Sequence, residues 1–289
     1  MHCLNQSISV DQSSKYSGRV LSLIGITLLI HTLLALALST RVANAAPAQA
    51  QNRVDVSASY TFISVGDWQM ISGSYTRSID RWVSGLGAQV LRREFSDQTL
   101  FDFSLSLPAY WSTDRFGIEV LGTWSPTAYF SPSYSIQLSP SIRFWDMASH
   151  LTYRFAEYPI AYAHVLTPGF SWSPKTLPIV IGVFVYLSVP EFGANLITPQ
   201  LRFEYKINYF WSGELWTTYG YETLNDRFVD PTRQAPQLGL YFQGKHLFND
   251  WSGLVLGLSW TQFFADERIA QERFNQDRFE ISLRSFIRF

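Results

Sequence analysis

From residue 54 onward, apolar and polar side chains take turns along stretch after stretch of about ten residues. Neighbouring side chains on a strand point to opposite sides, so each stretch has one oily and one polar face. Leu201, Phe203, Tyr205, Ile207 and Tyr209 alternate with Gln200, Arg202, Glu204, Lys206 and Asn208. Val54, Val56, Ala58, Tyr60 and Phe62 do the same against Asp55, Ser57, Ser59 and Thr61, until Ile63 breaks the pattern. Phe101, Phe103, Leu105 and Leu107 form a third oily face, and Ile136, Leu138, Ile142 and Phe144 a fourth, opposite Gln137, Ser139, Ser141 and Arg143.

About fourteen such segments can be counted, near 54–64, 68–78, 82–93, 100–111, 115–125, 134–144, 147–155, 159–172, 177–188, 199–210, 213–222, 236–246, 251–264 and 276–289. Twelve strands is the alternative, if two of these segments are loop. Most run 10 to 13 residues. That is the length a tilted strand needs to cross a bilayer, whereas strands of soluble sheets average about 5–6. In hydrocarbon every unpaired N–H or C=O costs several kcal/mol, so a sheet placed there must close on itself. The expected fold is therefore all-β, a transmembrane antiparallel β-barrel.

The connections point the same way. Counted from the first strand, the second, fourth, sixth, tenth and twelfth are short, as at Trp145-Asp146 and Phe248-Asn249-Asp250. The ninth, eleventh and thirteenth are long, near 189–198, 223–235 and 265–275, while the first and seventh are short exceptions. Outer-membrane barrels pair short periplasmic turns with longer external loops. Aromatic groups near strand ends, namely Tyr110-Trp111, Tyr129-Phe130, Tyr209-Phe210-Trp211 and Phe263-Phe264, are expected to form interfacial girdles.

The last segment sets Phe279, Ile281, Leu283, Ile287 and Phe289 against Arg278, Glu280, Ser282, Arg284 and Arg288, with Ser285 and Phe286 out of pattern. A final amphipathic strand ending on Phe289, with Ile287 and Leu283 on the same face, resembles the C-terminal signal by which the outer-membrane assembly machinery recognises its clients.

Residues 1–45 read as an address. Lys15 and Arg19 precede an apolar run over 20–38, and Ala43-Asn44-Ala45 supplies small residues for cleavage. Ala48-Gln49-Ala50 is a second cleavage choice. An uncleaved anchor is the alternative, weakened by Ser22, His31 and Thr32 within the run. The expected organisation is a signal peptide over 1–45, a short periplasmic segment over 46–53 and the barrel over 54–289, in the outer membrane of a Gram-negative-type envelope. The best later candidate for a spanning helix, 177–190, is too short and too rich in Val and Ile, which suits a strand.

Composition agrees with lipid contact. Aromatic residues make up 16% of the chain and charged residues also 16%, against about 25% charged in ordinary soluble domains. The only cysteine, Cys3, lies in the address segment, which excludes a disulfide scaffold or thiolate metal site in the remainder. Without 1–45 the chain carries three more acidic than basic side chains and has no basic run, so a nucleic-acid partner is not expected.

Five motifs carry a resemblance: Gly66-Asp67-Trp68, Tyr129-Phe130-Ser131-Pro132-Ser133-Tyr134, Leu151-Thr152-Tyr153-Arg154-Phe155, His164-Val165-Leu166-Thr167-Pro168-Gly169 and Gly220-Tyr221-Glu222. Through them the chain resembles the YaiO family of outer-membrane β-barrel proteins over about residues 53–289. The resemblance implies a barrel without a defined biochemical activity. It also implies an association with export of surface polysaccharide, seen in related barrels that are sometimes joined to helical repeats. This chain has no such repeat segment.

An Arg or Lys on the lipid face costs about 2–4 kcal/mol at mid-membrane. Arg202, Glu204 and Lys206, then Arg278, Glu280, Arg284 and Arg288, together with Arg143 and Arg154, are therefore expected to face the lumen. They either form salt bridges that fill the interior, the stronger reading, or line a path for an anionic or sugar solute. A bore of fourteen strands lies between filled barrels and open porins. His150, His164 and His246 stand in no Ser-rich motif, so no catalytic residue and no cofactor is expected. Asp226, Asp230, Asp266, Glu267 and Glu272 lack the spacing of a coordination loop and read as solvated loop charge.

The leading expectation is a pore or export channel linked to surface polysaccharide. A structural or adhesive surface barrel with a filled lumen is the alternative, and an outer-membrane lipid acyl hydrolase the second alternative. Expected partners are outer-membrane lipid and lipopolysaccharide, the assembly machinery, and a polysaccharide or small anionic solute.

Overall fold

The computed structural model describes residues 50–63, 66–95, 98–129, 131–159, 161–191, 195–221, 236–263 and 277–289. The alternating segments become fourteen strands: β1 (Ala50–Ile63), β2 (Gly66–Ile79), β3 (Trp82–Phe95), β4 (Gln98–Ser112), β5 (Phe116–Trp124), β6 (Tyr134–Phe144), β7 (Met147–Glu157), β8 (Tyr162–Trp172), β9 (Ile179–Pro190), β10 (Leu196–Lys206), β11 (Trp211–Tyr221), β12 (Pro236–Leu247), β13 (Ser252–Phe263) and β14 (Asp277–Arg288). Each strand pairs antiparallel with its sequence neighbours, and β1 pairs with β14, so the sheet is a closed barrel. Closure leaves no strand edge unpaired.

The seam is continued past β14 by the terminal residue. Phe289 N–H donates to the Asn52 carbonyl at 2.9 Å, and Asn52 N–H donates to the Phe289 carbonyl at 2.8 Å. The start of β1 and the end of β14 share one end of the barrel with the short turns. There Asp80 and Trp145 adopt positive φ (51° and 53°) in two-residue turns, a conformation Asp tolerates and Trp seldom takes. The turn leaves Trp145 89% exposed, projecting beyond the sheet.

Successive side chains along each strand alternate between lumen and exterior, and the outer wall is oily. Leu86, Leu107, Ile136, Val183, Phe203 and Phe242 are all exposed on it, Leu107 by 62%. Trp82, Phe116, Trp211 and Trp251 crowd its turn end, and Trp124, Tyr134 and Tyr162 its loop end, as two aromatic girdles.

Several expectations need correction. Tyr110 belongs to no girdle: it pairs with Glu119 on the inner face, while Trp111 points out beside Trp82, ring centroids 6.3 Å apart. The tenth segment stops at Lys206, because Asn208 Oδ1 accepts the Phe210 and Trp211 N–H groups, each at 2.8 Å, and turns the chain there. The ninth connection spans only 191–195, since β9 runs on to Pro190 and β10 starts at Leu196. The fifth, 125–133, is the longer one. Val56, Ala58 and Tyr60 face out by register yet are buried, and the Tyr60 hydroxyl donates to Asp67 at 2.5 Å. Phe130, Phe264, residues 1–49, the loops 223–235 and 265–275, and the acidic residues Asp226, Asp230, Asp266, Glu267 and Glu272 lie outside the described residues.

Candidate functional site

The inner wall is polar and layered. Toward the loop end, β1, β2, β3, β4, β5, β7 and β14 enclose a cavity of about 340 Å³. Arg93, Arg154, Arg278 and Glu280 bring charge to it, Trp68, Met70, Leu91 and Pro132 bring apolar surface, and Ser59, Thr61, Ser104, Thr123 and Ser131 bring hydroxyls. Trp68 and Arg93 are cross-strand partners, with the guanidinium carbon 4.0 Å from the indole centroid, and the Arg278 guanidinium is 5.8 Å from the same ring.

Ser131 and Pro132 reach this cavity because the 125–133 connection is tied inward. Asp102, inward on β4 and 2% exposed, accepts the Tyr129 N–H at 2.7 Å and the Ser131 N–H at 2.6 Å. β4 continues past the last residue that β5 can pair. The backbone freed there is taken up by the connection: Phe103 N–H donates to Thr127 Oγ1 at 2.9 Å, and Ser125 Oγ donates to the Phe103 carbonyl at 2.6 Å.

At mid-height Arg202 forms an ion pair with Glu214 on β11, lies 4.0 Å from Glu204, and stacks on Trp216 at 5.4 Å. Trp216 in turn packs on Tyr241, centroids 4.8 Å apart. Phe184 lies on the inner face over Gly169 and Gly182, 5.9 Å from His150. A Cβ on Gly169 would meet the Phe184 ring at 2.1 Å, so the missing side chain makes the room that ring occupies.

At the turn end one phenyl ring gathers three cations. Phe286, 1% exposed, has the Arg53 guanidinium 4.4 Å, the Arg288 guanidinium 5.2 Å and the Lys245 ammonium 5.7 Å from its centroid. Arg53 is also bonded to Asp55, at 2.7 Å through Nε and 2.6 Å through Nη2. Phe286 had looked like a misplaced apolar residue on a polar face. The structure turns it inward as the common surface for these cations, with Gly253 opposite making space.

The register places each sequence-predicted lumen residue. Arg202, Glu204 and Lys206 are inward on β10, Arg143 on β6, Arg154 on β7, and Arg278, Glu280 and Arg284 on β14. They do not form one site: Arg154, Arg278 and Glu280 share the cavity, Arg202 and Glu204 the mid-height network, and Arg284 and Lys206 stand toward the turn end. Leu283 and Ile287 face outward from β14. Sequence reading missed Trp68, Arg93, Asp102 and Glu214 as site residues, and also Arg53, Lys245 and Phe286. Their only signal is that each occupies a polar-face position on its strand.

Among the described strand residues, inward acids are Asp55, Asp102, Glu119, Glu204, Glu214 and Glu280. Inward cations outnumber them, with Arg53, Arg93, Arg143, Arg154 and Arg202, then Lys206, Lys245, Arg278, Arg284 and Arg288. His164 points out, bonded to the Tyr153 hydroxyl at 2.7 Å, and His246 packs outside on Trp211 at 4.1 Å. His150 is inward and 3.0 Å from Ser171 Oγ, with Arg143 and Arg202 as its charged neighbours. The charged groups beside His150 are guanidiniums, which oppose formation of an imidazolium there.

No family model matches the chain, and no curated protein does. The YaiO resemblance therefore stays with its motifs. Among solved structures the chain is similar to a loop L8 deletion mutant of OmpT, an outer membrane protein of Vibrio cholerae. The identity is 9% over 82% of this chain and 98% of that one, with a TM-score of 0.46. It is also similar to the Acinetobacter baumannii outer membrane protein Omp33, at 9% identity over 83% and 99% of the two chains and a TM-score of 0.49. A TodX ΔS2S3 mutant monoaromatic hydrocarbon channel gives 11% identity over 84% and 91%, with a TM-score of 0.49.

Proposed function

We propose that the chain is an outer-membrane pore that favours anionic solutes. A closed cylinder with an oily exterior, aromatic girdles and, among the described strand residues, charge that mostly faces inward suits a bilayer, where unpaired backbone and lipid-facing charge are both costly. The observation that carries the pore reading is the excess of inward cations over inward carboxylates along the wall. Between low-dielectric walls such an excess concentrates anions and repels cations.

Purified protein reconstituted in a planar bilayer under a KCl gradient tests this. Discrete current steps with a reversal potential on the chloride side are expected. A silent barrel, or one that prefers potassium, would refute the reading.

The YaiO-like motifs support surface polysaccharide as a cargo, and the same bilayer tests it. Acidic polysaccharide fragments added to one side should interrupt the current, and fragments that leave it unaffected would remove that cargo. The Arg202–Glu214–Trp216 network supports a second, structural role at mid-height, where ion pairing and stacking stiffen the wall. We assign no catalytic role to the chain: the His150–Ser171 pair is set among cations, and His164 and His246 point outward.

A further inference from the structure

The cavity beneath the 125–133 connection combines surfaces that no single simple solute needs. An inorganic anion would use the guanidiniums but gains nothing from Trp68 and Leu91. A neutral sugar would use an apolar face and hydroxyls but gives the cations nothing to hold. At about 340 Å³ the space falls at the small end of ligand sites, which run from roughly 300 to 1,000 Å³.

Arg154 is the informative residue. It lines the cavity from β7 and, among the described residues, makes no hydrogen bond or ion pair. An arginine presents a planar fork of donors that matches a carboxylate in two parallel bonds. Across the cavity stand the Trp68 indole, already covered by Arg93, and the hydroxyls of Thr61 and Ser104. Resting on the pore reading, we infer that this cavity is a binding site for a small sugar acid. Its carboxylate is held by Arg154, its hydroxyls by the serine and threonine side chains, and its apolar ring face lies against Leu91 and Pro132. Ser131 and Pro132 reach the ligand because Asp102 holds their connection inward, so the site is completed by a loop rather than by strands alone.

The test is calorimetric titration of the full-length protein in detergent micelles with glucuronate, glucose and sulfate. Saturable binding of glucuronate is expected, with glucose and sulfate each at least about tenfold weaker. Arg154→Gln should weaken glucuronate about tenfold, the scale of one lost charge-assisted pair, while Arg154→Lys recovers part of the loss. Arg92→Gln, on the outer wall, should leave the affinity unchanged. Circular dichroism confirms that each variant keeps its sheet. Equal binding of glucose or sulfate, or an affinity indifferent to Arg154→Gln, would overturn the assignment. Glucuronate binding by a barrel that carries no current would remove the pore reading and keep the site, whereas anion current without saturable binding would do the reverse.

Discussion

Arg93 and Trp68 face each other directly across the β2–β3 ladder, and the guanidinium rests 4.0 Å from the centre of the indole. Arg93 is only 6% exposed, so the π-face is one of the surfaces that its guanidinium meets in place of bulk water. Such contacts are worth from about 0.5 kcal/mol when exposed to about 2 when desolvated. Trp68→Leu keeps apolar volume but removes the π-face. It should lower the unfolding free energy, read from urea denaturation of the barrel in micelles, by the upper part of that range, and Trp68→Phe should lose less.

Asp102 carries the 125–133 connection on two charge-assisted bonds. Asp102→Ala leaves two backbone donors without their acceptor, and bonds to a charged group contribute about 1.5–3 kcal/mol each. The connection should swing out of the lumen. Larger single-channel conductance and new protease cleavage near Tyr129 are the expected signs. Unchanged conductance would show that the connection does not narrow the path.

Gly169 and Phe184 form a steric pair. Gly169→Ala places a methyl group where the Phe184 ring lies and should cost about 1–3 kcal/mol, the usual range for overpacking. All three nearest atoms to that Cβ belong to the Phe184 side chain. In a Phe184→Ala background the same substitution should therefore be nearly neutral, and a double-mutant cycle on denaturation midpoints measures the coupling.

The cations around Phe286 predict a salt-sensitive selectivity. The combined neutralisation of Arg53, Lys245 and Arg288 to Gln should reduce the chloride-to-potassium permeability ratio severalfold. The difference should be largest near 0.01 M salt, where the screening length is about 30 Å, and nearly vanish at 1 M, where it is about 3 Å. Reversal potentials at the two salt concentrations check this.

Phe289 closes the seam through a reciprocal pair of backbone bonds with Asn52. Deleting it removes both bonds and the terminal aromatic side chain together. The fraction of protein recovered as assembled barrel in outer-membrane preparations should fall severalfold, while Phe289→Tyr, which keeps an aromatic end, should retain most of it.

Alternation made the fold class legible without coordinates. Leu201 and Phe203 against Arg202 and Glu204 already imply a strand with two unlike faces, and fourteen such stretches with paired short turns imply closure. Strand ends were less legible, because they depend on single hydrogen bonds. Asn208 capping the turn after Lys206 is one case, and the extension of β9 to Pro190 is another. Out-of-pattern residues misled as well: Phe286 reads as an error in an inward row until Arg53, Lys245 and Arg288 are seen around it.

A period of two belongs to the backbone of a single strand, so the chain alone divides every segment into lipid-facing and lumen-facing rows and requires the sheet to close. Height along the barrel axis is a different kind of quantity. It depends on how far each strand slides against its neighbours, a stagger summed around the whole cylinder. No local pattern encodes that sum. Only the closed register brings Trp68 from β2, Arg93 from β3, Arg154 from β7 and Arg278 from β14 to one level, and only there do separate polar rows become a single site.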